Sequence, residues 1–308
     1  MIVVFGSINA DLVIEVASLP GPGETRLAPE YNAVPGGKGA NQALAAKRAG
    51  GEVAMHGCVG DDPFATIALE FLERDGVDLS GLMRSNRATG CAAVFVDPQG
   101  ENQIVVASGA NRDARMSTIS DSALGPDTTL LLQLEVDTME TAALIGRARA
   151  SNARIILNAA PVIPLPEAAL AAVDVLIVNQ LEVTMLAEYL GIPTPDAILA
   201  AGRLTRRLGC LTIATLGCEG AIAFRTDEIW RVDALGVETR DTTGAGDTFA
   251  GVFAAALDFG TALPEALARA SVGASLACLK IGAQQSIPTA SMIEDRLCEI
   301  VPARRDKK

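Results

Sequence analysis

The run Asp241-Thr242-Thr243-Gly244-Ala245-Gly246-Asp247-Thr248-Phe249 joins a glycine-rich turn and a carboxylate to an apolar helix expected over 248–257. Glycines at 244 and 246 remove side chains where the chain turns, so backbone N–H groups can converge on an anion. The helix amino terminus adds partial positive charge. At the edge of such a pocket Asp247 could accept a proton from an attacking hydroxyl. Phosphoryl transfer asks mainly for positioning, charge stabilisation and one group that orients and deprotonates the nucleophile. By itself the motif reads equally as a helix capped by an acid after a glycine turn.

A second motif, Val34-Pro35-Gly36-Gly37-Lys38-Gly39-Ala40-Asn41-Gln42, brings bare backbone close to something small just before a helix. It is not a nucleotide-binding P-loop. Asn32 stands at the required first glycine, and Gly39 follows the lysine where Ser or Thr would ligate Mg²⁺. Its bland alternative is a turn with a solvated lysine. The third motif, Gly6-Ser7-Ile8-Asn9-Ala10-Asp11, ends the first apolar run. Asn9 and Asp11 can bond vicinal hydroxyls or simply close an Asx turn. Neither Gly6 nor Gly244 opens a G-x-G-x-x-G, which tells against a dinucleotide-dependent dehydrogenase. The sole histidine, His56, falls inside a strand pattern and reads as a core or edge residue.

The elements that must position these motifs alternate. Apolar runs at 2–5, 52–57, 130–134, 154–157, 174–178 and 211–215 read as strands, and helical patterns occupy 40–49 and the stretch from Pro63 to Gly76. This rhythm predicts an α/β fold: a doubly wound, largely parallel sheet flanked by helices, with ligands beyond the carboxyl ends of the strands. Residues 11–16, 91–96 and 102–107, the last two flanking Asp97-Pro98-Gln99-Gly100, break the rhythm. With the segment around 24–34 they predict a small antiparallel β lid.

The 308 residues suffice for a sizeable core, and no repeat or linker divides them. Aromatics are only 4%, so Ala, Val, Leu and Ile must build that core, which suits a helix-covered sheet better than a β-sandwich. A net charge of −12 makes nucleic acid and membrane poor partners. The basic end (Arg304, Arg305, Lys307, Lys308) reads as a frayed tail. Six cysteines without C-x-x-C spacing read as reduced thiols, mostly buried, and point to a cytoplasmic location. No signal peptide or membrane span is recognised.

Residues 6–11, 36–41, Gln133-Leu134-Glu135, Asn158-Ala159-Ala160-Pro161, 179–182, Thr215-Leu216-Gly217, 241–249 and 282–286 occur in an order that resembles the ribokinase-like family of carbohydrate kinases. The likeness covers nearly the whole chain. It implies one domain over 1–308 with a lid from about 11–34 and 89–108. The implied reaction transfers the γ-phosphoryl of ATP to the C5 hydroxyl of D-ribose. Other readings are a sister kinase for deoxyribose, a ketohexose or a nucleoside, and a non-catalytic sugar-binding regulator.

On this resemblance Asp247 is the base, and the amides of Gly244, Ala245 and Gly246 form the anion hole. Asn9, Asp11, Gly37, Lys38, Asn41 and Glu135 hold the sugar. Asn179 and Glu182 organise Mg²⁺ near the ATP phosphates, although Glu182 also reads as a first-turn helix acid. Thr215, Gly217 and Gly220 lie along the nucleotide. Asp241, Thr243, Ala277, Lys280, Gly282 and Ser286 hold K⁺, mostly through backbone oxygens, with the Lys280 side chain turned to solvent. A homodimer joined through the lids is implied as well. There are two departures. Gly244 stands where some members carry a side chain, and Ala270-Ser271-Val272-Gly273 offers no His or Asn to read the base.

Overall fold

Ile2–Phe5 forms strand β1, and all four side chains are fully buried. Ile2 and Val4 enter one hydrophobic cluster, Val3 and Phe5 a second. A continuous apolar run does this when its strand lies inside a parallel sheet covered by helices on both faces. The structure is a computed structural model describing residues 1–99, 102–192, 194–226 and 228–306.

After β1 come β2 (Asn9–Glu15), β3 (Asn32–Gly36), α1 (Lys38–Arg48), β4 (Val53–Gly60), α2 (Pro63–Arg74), β5 (Leu82–Ser85), β6 (Gly90–Val96) and β7 (Asn102–Ala107). The middle of the chain supplies β8 (Thr129–Leu132), α3 (Thr138–Ala150), β9 (Arg154–Asn158), α4 (Glu167–Leu170), β10 (Val175–Asn179), α5 (Gln180–Tyr189), α6 (Ala197–Leu208) and β11 (Leu211–Thr215). The last third holds β12 (Ala221–Arg225), β13 (Glu228–Val232), α7 (Ala245–Asp258), α8 (Leu263–Ala277), α9 (Ala283–Ser286), α10 (Ala290–Leu297) and β14 (Arg304–Asp306).

The large sheet has the order β14-β13-β12-β11-β10-β9-β8-β1-β4-β5. It is parallel from β11 to β5, and β12, β13 and β14 extend it antiparallel. From β1 the chain moves to β4 and β5 on one side, then to β8 through β11 on the other. The switch point therefore lies between β1 and β8, where such sheets open a crevice at their carboxyl ends. Helices α1, α2, α7 and α8 cover one face, while α3, α5 and α6 cover the other. Gly251 lets α7 close on α1: a Cβ there would stand 2.5 Å from the Gln42 carbonyl oxygen and 2.6 Å from the Ala45 Cβ.

The small sheet has the order β3-β2-β6-β7. Its β2–β3 and β6–β7 pairs are antiparallel as expected, but the central β2–β6 pair is parallel, so the sheet is mixed. Strand β2 leaves the crevice at Asn9 and β6 leaves it at Gly90, both running outward from the same edge. The lid strands thus begin at Asn9 and Gly90, and of the 24–34 segment only Asn32 onward is strand. In the turn after β6, the Gln99 amide donates to Asp97 Oδ1 at 2.9 Å; Gly100 is outside the described residues.

Two further expectations need correction. The carboxyl end is not frayed: Arg304–Asp306 pairs with β13, and Arg305 reaches Glu228 at 3.0 Å. Lys307 and Lys308 are outside the described residues. The thiols are not mostly buried either. Cys58 and Cys210 are buried, Cys91 and Cys278 are half-buried, and Cys218 and Cys298 are exposed, all of them free. Among the described residues no helix is long and apolar enough to cross a membrane.

Candidate active site

Asp247 sits in the first turn of α7 and is buried, with 7% of its surface exposed. The α1–α7 contact brings two amides onto its carboxylate: Asn41 Nδ2 donates to Oδ2 and Gln42 Nε2 to Oδ1, both at 2.9 Å. Gly244 caps the helix with φ +76°, a left-handed conformation that suits glycine. The departure noted at this position therefore fits the backbone. A Cβ on Gly246 would meet no heavy atom within 4 Å, so the backbone faces open space. Asp247, Gly244, Gly246, Lys38, Asn179 and Glu182 line one cleft of about 210 Å³.

The expected sugar ligands gather at the β1–β8 switch point. Gly37 caps α1 with φ +88°, and a Cβ there would lie 2.8 Å from the Asn9 backbone nitrogen. Glu135 Oε2 accepts from Ser7 Oγ at 2.6 Å and from the Lys38 amide at 3.1 Å. Asn111 Nδ2 donates to Asn9 Oδ1 at 2.7 Å, while Asn111 Oδ1 takes the Ile8 amide at 2.9 Å. Asn9 and Glu135 line a cavity of about 560 Å³ that also reaches Arg112 and β7. Asp11 Oδ1 and Asn41 Oδ1 are buried without a hydrogen-bond partner. Unpaired buried oxygens are costly, so a hydroxyl-rich ligand would relieve them.

Charge is concentrated here. Burial, reinforced by Glu135, pushes the Asp11 carboxyl up to about 7. Asp247 above all, with Glu135, Glu182 and Asp11, holds the Lys38 ammonium charged against the opposing effect of burial. Burial also raises Glu182.

A second cleft of about 290 Å³ shares Thr215, Thr242 and Gly246 with the first. Gly217 and Gly220 line it, while Leu235, Val237, Phe249 and Ala274 give it apolar walls. Ser271 faces it, but its hydroxyl already donates to the Asp233 carbonyl at 2.8 Å. Apolar walls leading into a glycine-lined anion seat fit a nucleotide, base outermost.

Asn179 and Glu182 form a reciprocal capping box on α5: the Asn179 amide donates to Glu182 Oε2 at 2.8 Å, and the Leu181 and Glu182 amides donate to Asn179 Oδ1. One carboxylate facing the anion seat suits Mg²⁺, which keeps most of its waters. In the proposed K⁺ shell, Asp241 Oδ1 takes the Thr243 hydroxyl at 2.6 Å and amide at 2.9 Å, and Oδ2 takes the Gly282 amide at 2.8 Å. Burial raises the Asp241 carboxyl, yet these donors outweigh it and hold it below its usual value. Ala277 and Ser286 are buried and Lys280 is exposed. Both Asp241 carboxylate oxygens already accept from protein donors, so a monovalent cation here would draw mainly on backbone oxygens of this set.

Some contacts were missed by sequence reasoning. Ser7, Gln42, Gln133, Asn111 and Asn158 take part in hydrogen bonds at this site, and Leu235 and Val237 line the second cleft. Ser7, Gln42, Gln133 and Asn158 lay within recognised motifs, but nothing in the sequence shows which way a hydroxyl or an amide points. His56 is buried on β4 beside Thr118, away from the site.

An anion seat at a helix amino terminus, a buried carboxylate beside it and a polar pocket at the switch point define a phosphotransferase acting on a small hydroxylated compound. The chain belongs to the pfkB family of carbohydrate kinases, whose model matches residues 1–290. It is 35% identical to the ribokinase of Haemophilus influenzae over 93% of this chain and 94% of that protein. Among solved structures it matches ribokinase from Thermotoga maritima with a TM-score of 0.89 and 33% identity, covering 96% of this chain and 99% of that one. Arabidopsis thaliana ribokinase, complexed with ribose and ATP, matches with a TM-score of 0.86 and 30% identity, covering 96% and 98%.

Proposed function

We propose that this protein transfers the γ-phosphoryl of ATP to the C5 hydroxyl of D-ribose. The observation that carries the reading is the position of Asp247: buried, bonded to Asn41, and one residue from the open Gly246 backbone. The polar set around Asn9, Asp11, Lys38, Asn41 and Glu135 is suited to a ligand with several hydroxyls, each needing a partner. The complex of Arabidopsis thaliana ribokinase with ribose and ATP supports the same pair of substrates.

In this mechanism ribose lies between the sheet edge and the lid, and ATP lies along Thr215, Gly217 and Gly220. Closure of the lid expels water and limits wasteful hydrolysis. Asp247 takes the hydroxyl proton as the amides of Gly244, Ala245 and Gly246 receive the charge on the transferring group. Mg²⁺ near Asn179 and Glu182 would neutralise phosphate charge, and K⁺ near Asp241 would rigidify the anion loop.

The whole chain acts as one kinase domain in the cytoplasm, with the lids joining two copies. Ile104, Val105 and Val106 on the β7 edge are 53%, 66% and 47% exposed, an apolar strand edge that favours pairing.

The test is ATP consumption with ribose, deoxyribose, fructose, adenosine or no sugar, each with and without K⁺. Turnover on ribose that rises with K⁺ is the expected result. Preference for another acceptor would overturn the ribose assignment and leave the base and anion seat in place. Absence of ATP consumption with every acceptor would favour a non-catalytic sugar binder.

A further inference from the structure

We propose that Gln42 is a positioning residue for the Asp247 carboxylate, and that Gln133 fixes the orientation in which it acts. The inference rests on the reading of Asp247 as the base. Gln42 is completely buried, and all its amide atoms are engaged. Its Nε2 donates at 2.9 Å both to Asp247 Oδ1 and to Asn158 Oδ1. Its Oε1 accepts from Gln133 Nε2 at 2.7 Å. An ionised carboxylate only accepts hydrogen bonds, so the NH₂ end of Gln42 must face Asp247. Gln133 holds it there by offering a donor to the opposite end.

The chain of amides is anchored by a hydrogen bond at its Asn158 end and by packing alone at its Gln133 end. Asn158 Nδ2 donates to the Ile177 carbonyl at 3.1 Å, which leaves Asn158 Oδ1 facing Gln42. Gln133 is completely buried, and its Oε1, which has no hydrogen-bond partner, backs onto Gly6, where a Cβ would overlap it. Three strand ends and helix α1 thus converge on a carboxylate carried by α7. None of Gln42, Gln133 or Asn158 would be needed at these positions for packing alone, since an apolar side chain of equal size fills a buried space with no polar atoms to satisfy.

The relay should be visible in the pH dependence of kcat/KM, because a donor to a carboxylate favours its charged form. The acid limb reports the essential base of the free enzyme. Besides the amides, Lys38, Glu182 and Asp11 act on Asp247 electrostatically, and Glu135 lies beyond Lys38. None of these is altered in the variants below.

Ribose turnover of Gln42→Met should show the acid limb displaced upward by about one pH unit, with KM for ribose within about twofold of wild type. Gln42→Glu is nearly isosteric and places a like charge against Asp247, so its displacement should be larger. Gln133→Met should give a smaller upward displacement, although Gln133 makes no hydrogen bond to Asp247. Asp247→Asn is the control. If it keeps wild-type turnover, the base assignment is wrong and the relay falls with it. If it is inactive while both Gln42 variants keep the wild-type acid limb, the relay alone is overturned. Should Gln42→Met fail to fold, Gln133→Met decides, since it adds no charge: an acid limb unmoved from wild type in that variant overturns the relay.

Discussion

Replacing Gly246 by Ala tests the loop at the head of α7 where it faces the cleft. Gly246 is the second residue of that helix and does not have positive φ, so alanine can adopt its backbone without strain. A Cβ there meets no heavy atom within 4 Å, which sends the methyl group into the cleft rather than into the protein. Alanine is favoured over glycine inside a helix by up to about 1 kcal/mol, and we take about half of that in a first turn. With an unfolding entropy of roughly 2.1 cal/mol/K per residue over the whole chain, that is a rise in Tm of under about 1 °C. Stability should therefore stay level or rise slightly.

Turnover should not. A methyl group over the anion seat displaces the transferring phosphoryl by on the order of 1 Å, which costs about 10²-fold. The assay is ADP release under saturating ribose, run beside a thermal melt. Gly244→Ala is the counterpart: at φ +76° its Cβ would stand 3.0 Å from that of Ala283. The left-handed backbone should cost about 1–2 kcal/mol, or about 1.5–3 °C in Tm. Wild-type turnover in Gly246→Ala would show that phosphoryl transfer does not occur over this backbone. Early melting of Gly246→Ala with no change in Gly244→Ala would refute the local geometry.

Three other outcomes are expected. Asp247→Asn should lower kcat on the order of 10²–10⁴ with little change in ribose affinity, read by steady-state kinetics and direct binding. The folded chain holds the Asp11 proton up to about pH 7, whereas an ordinary Asp releases it near 3.8. Between those values the folded state binds more protons, so stability falls as pH rises through the window. In thermal melts Asp11→Asn should accordingly gain on wild type from about pH 4 to about pH 7 and hold a constant advantage above about pH 8. Val105→Lys on the lid edge should leave a monomer in sedimentation at micromolar concentration, because burying an unpaired ammonium outweighs the apolar contact; a variant that still dimerises would place the interface elsewhere.

Most of the large sheet was legible because its strands are buried on both faces. The apolar run at 2–5 needs no partner to be recognised, and β11 matched its expected bounds at both ends. The β2–β6 pairing was not legible. Alternating patterns in residues 11–16 and 91–96 show that each strand has two unlike faces, but they carry no sign of relative direction. Direction follows from where the chain enters: Asn9 and Gly90 pair side by side at the crevice, so both strands must leave it the same way. The β14 pairing was hidden for a related reason. Arg304 and Arg305 are polar and exposed, so nothing apolar marks them as a strand, and their ion pairs to Asp233, just after β13, and to Glu228, on it, supplement the backbone pairing at this edge.

The site divides along the same line. Residue types announced the glycines, Lys38 and Asp247, because backbone exposure and charge are local properties. Contacts between distant segments were not announced. Asn41 meets Asp247 across 206 residues of sequence, and Gln42 meets Gln133 across 91. What makes those meetings possible is an absence, the missing side chain of Gly251, which lets two helices approach until an amide can reach a carboxylate. A single glycine in an apolar helix looks like a minor cost in propensity when read alone. Its value appears only when the opposing helix is known, and substituting Gly251 should therefore damage turnover by displacing Asn41 and Gln42 from Asp247, although it touches no substrate.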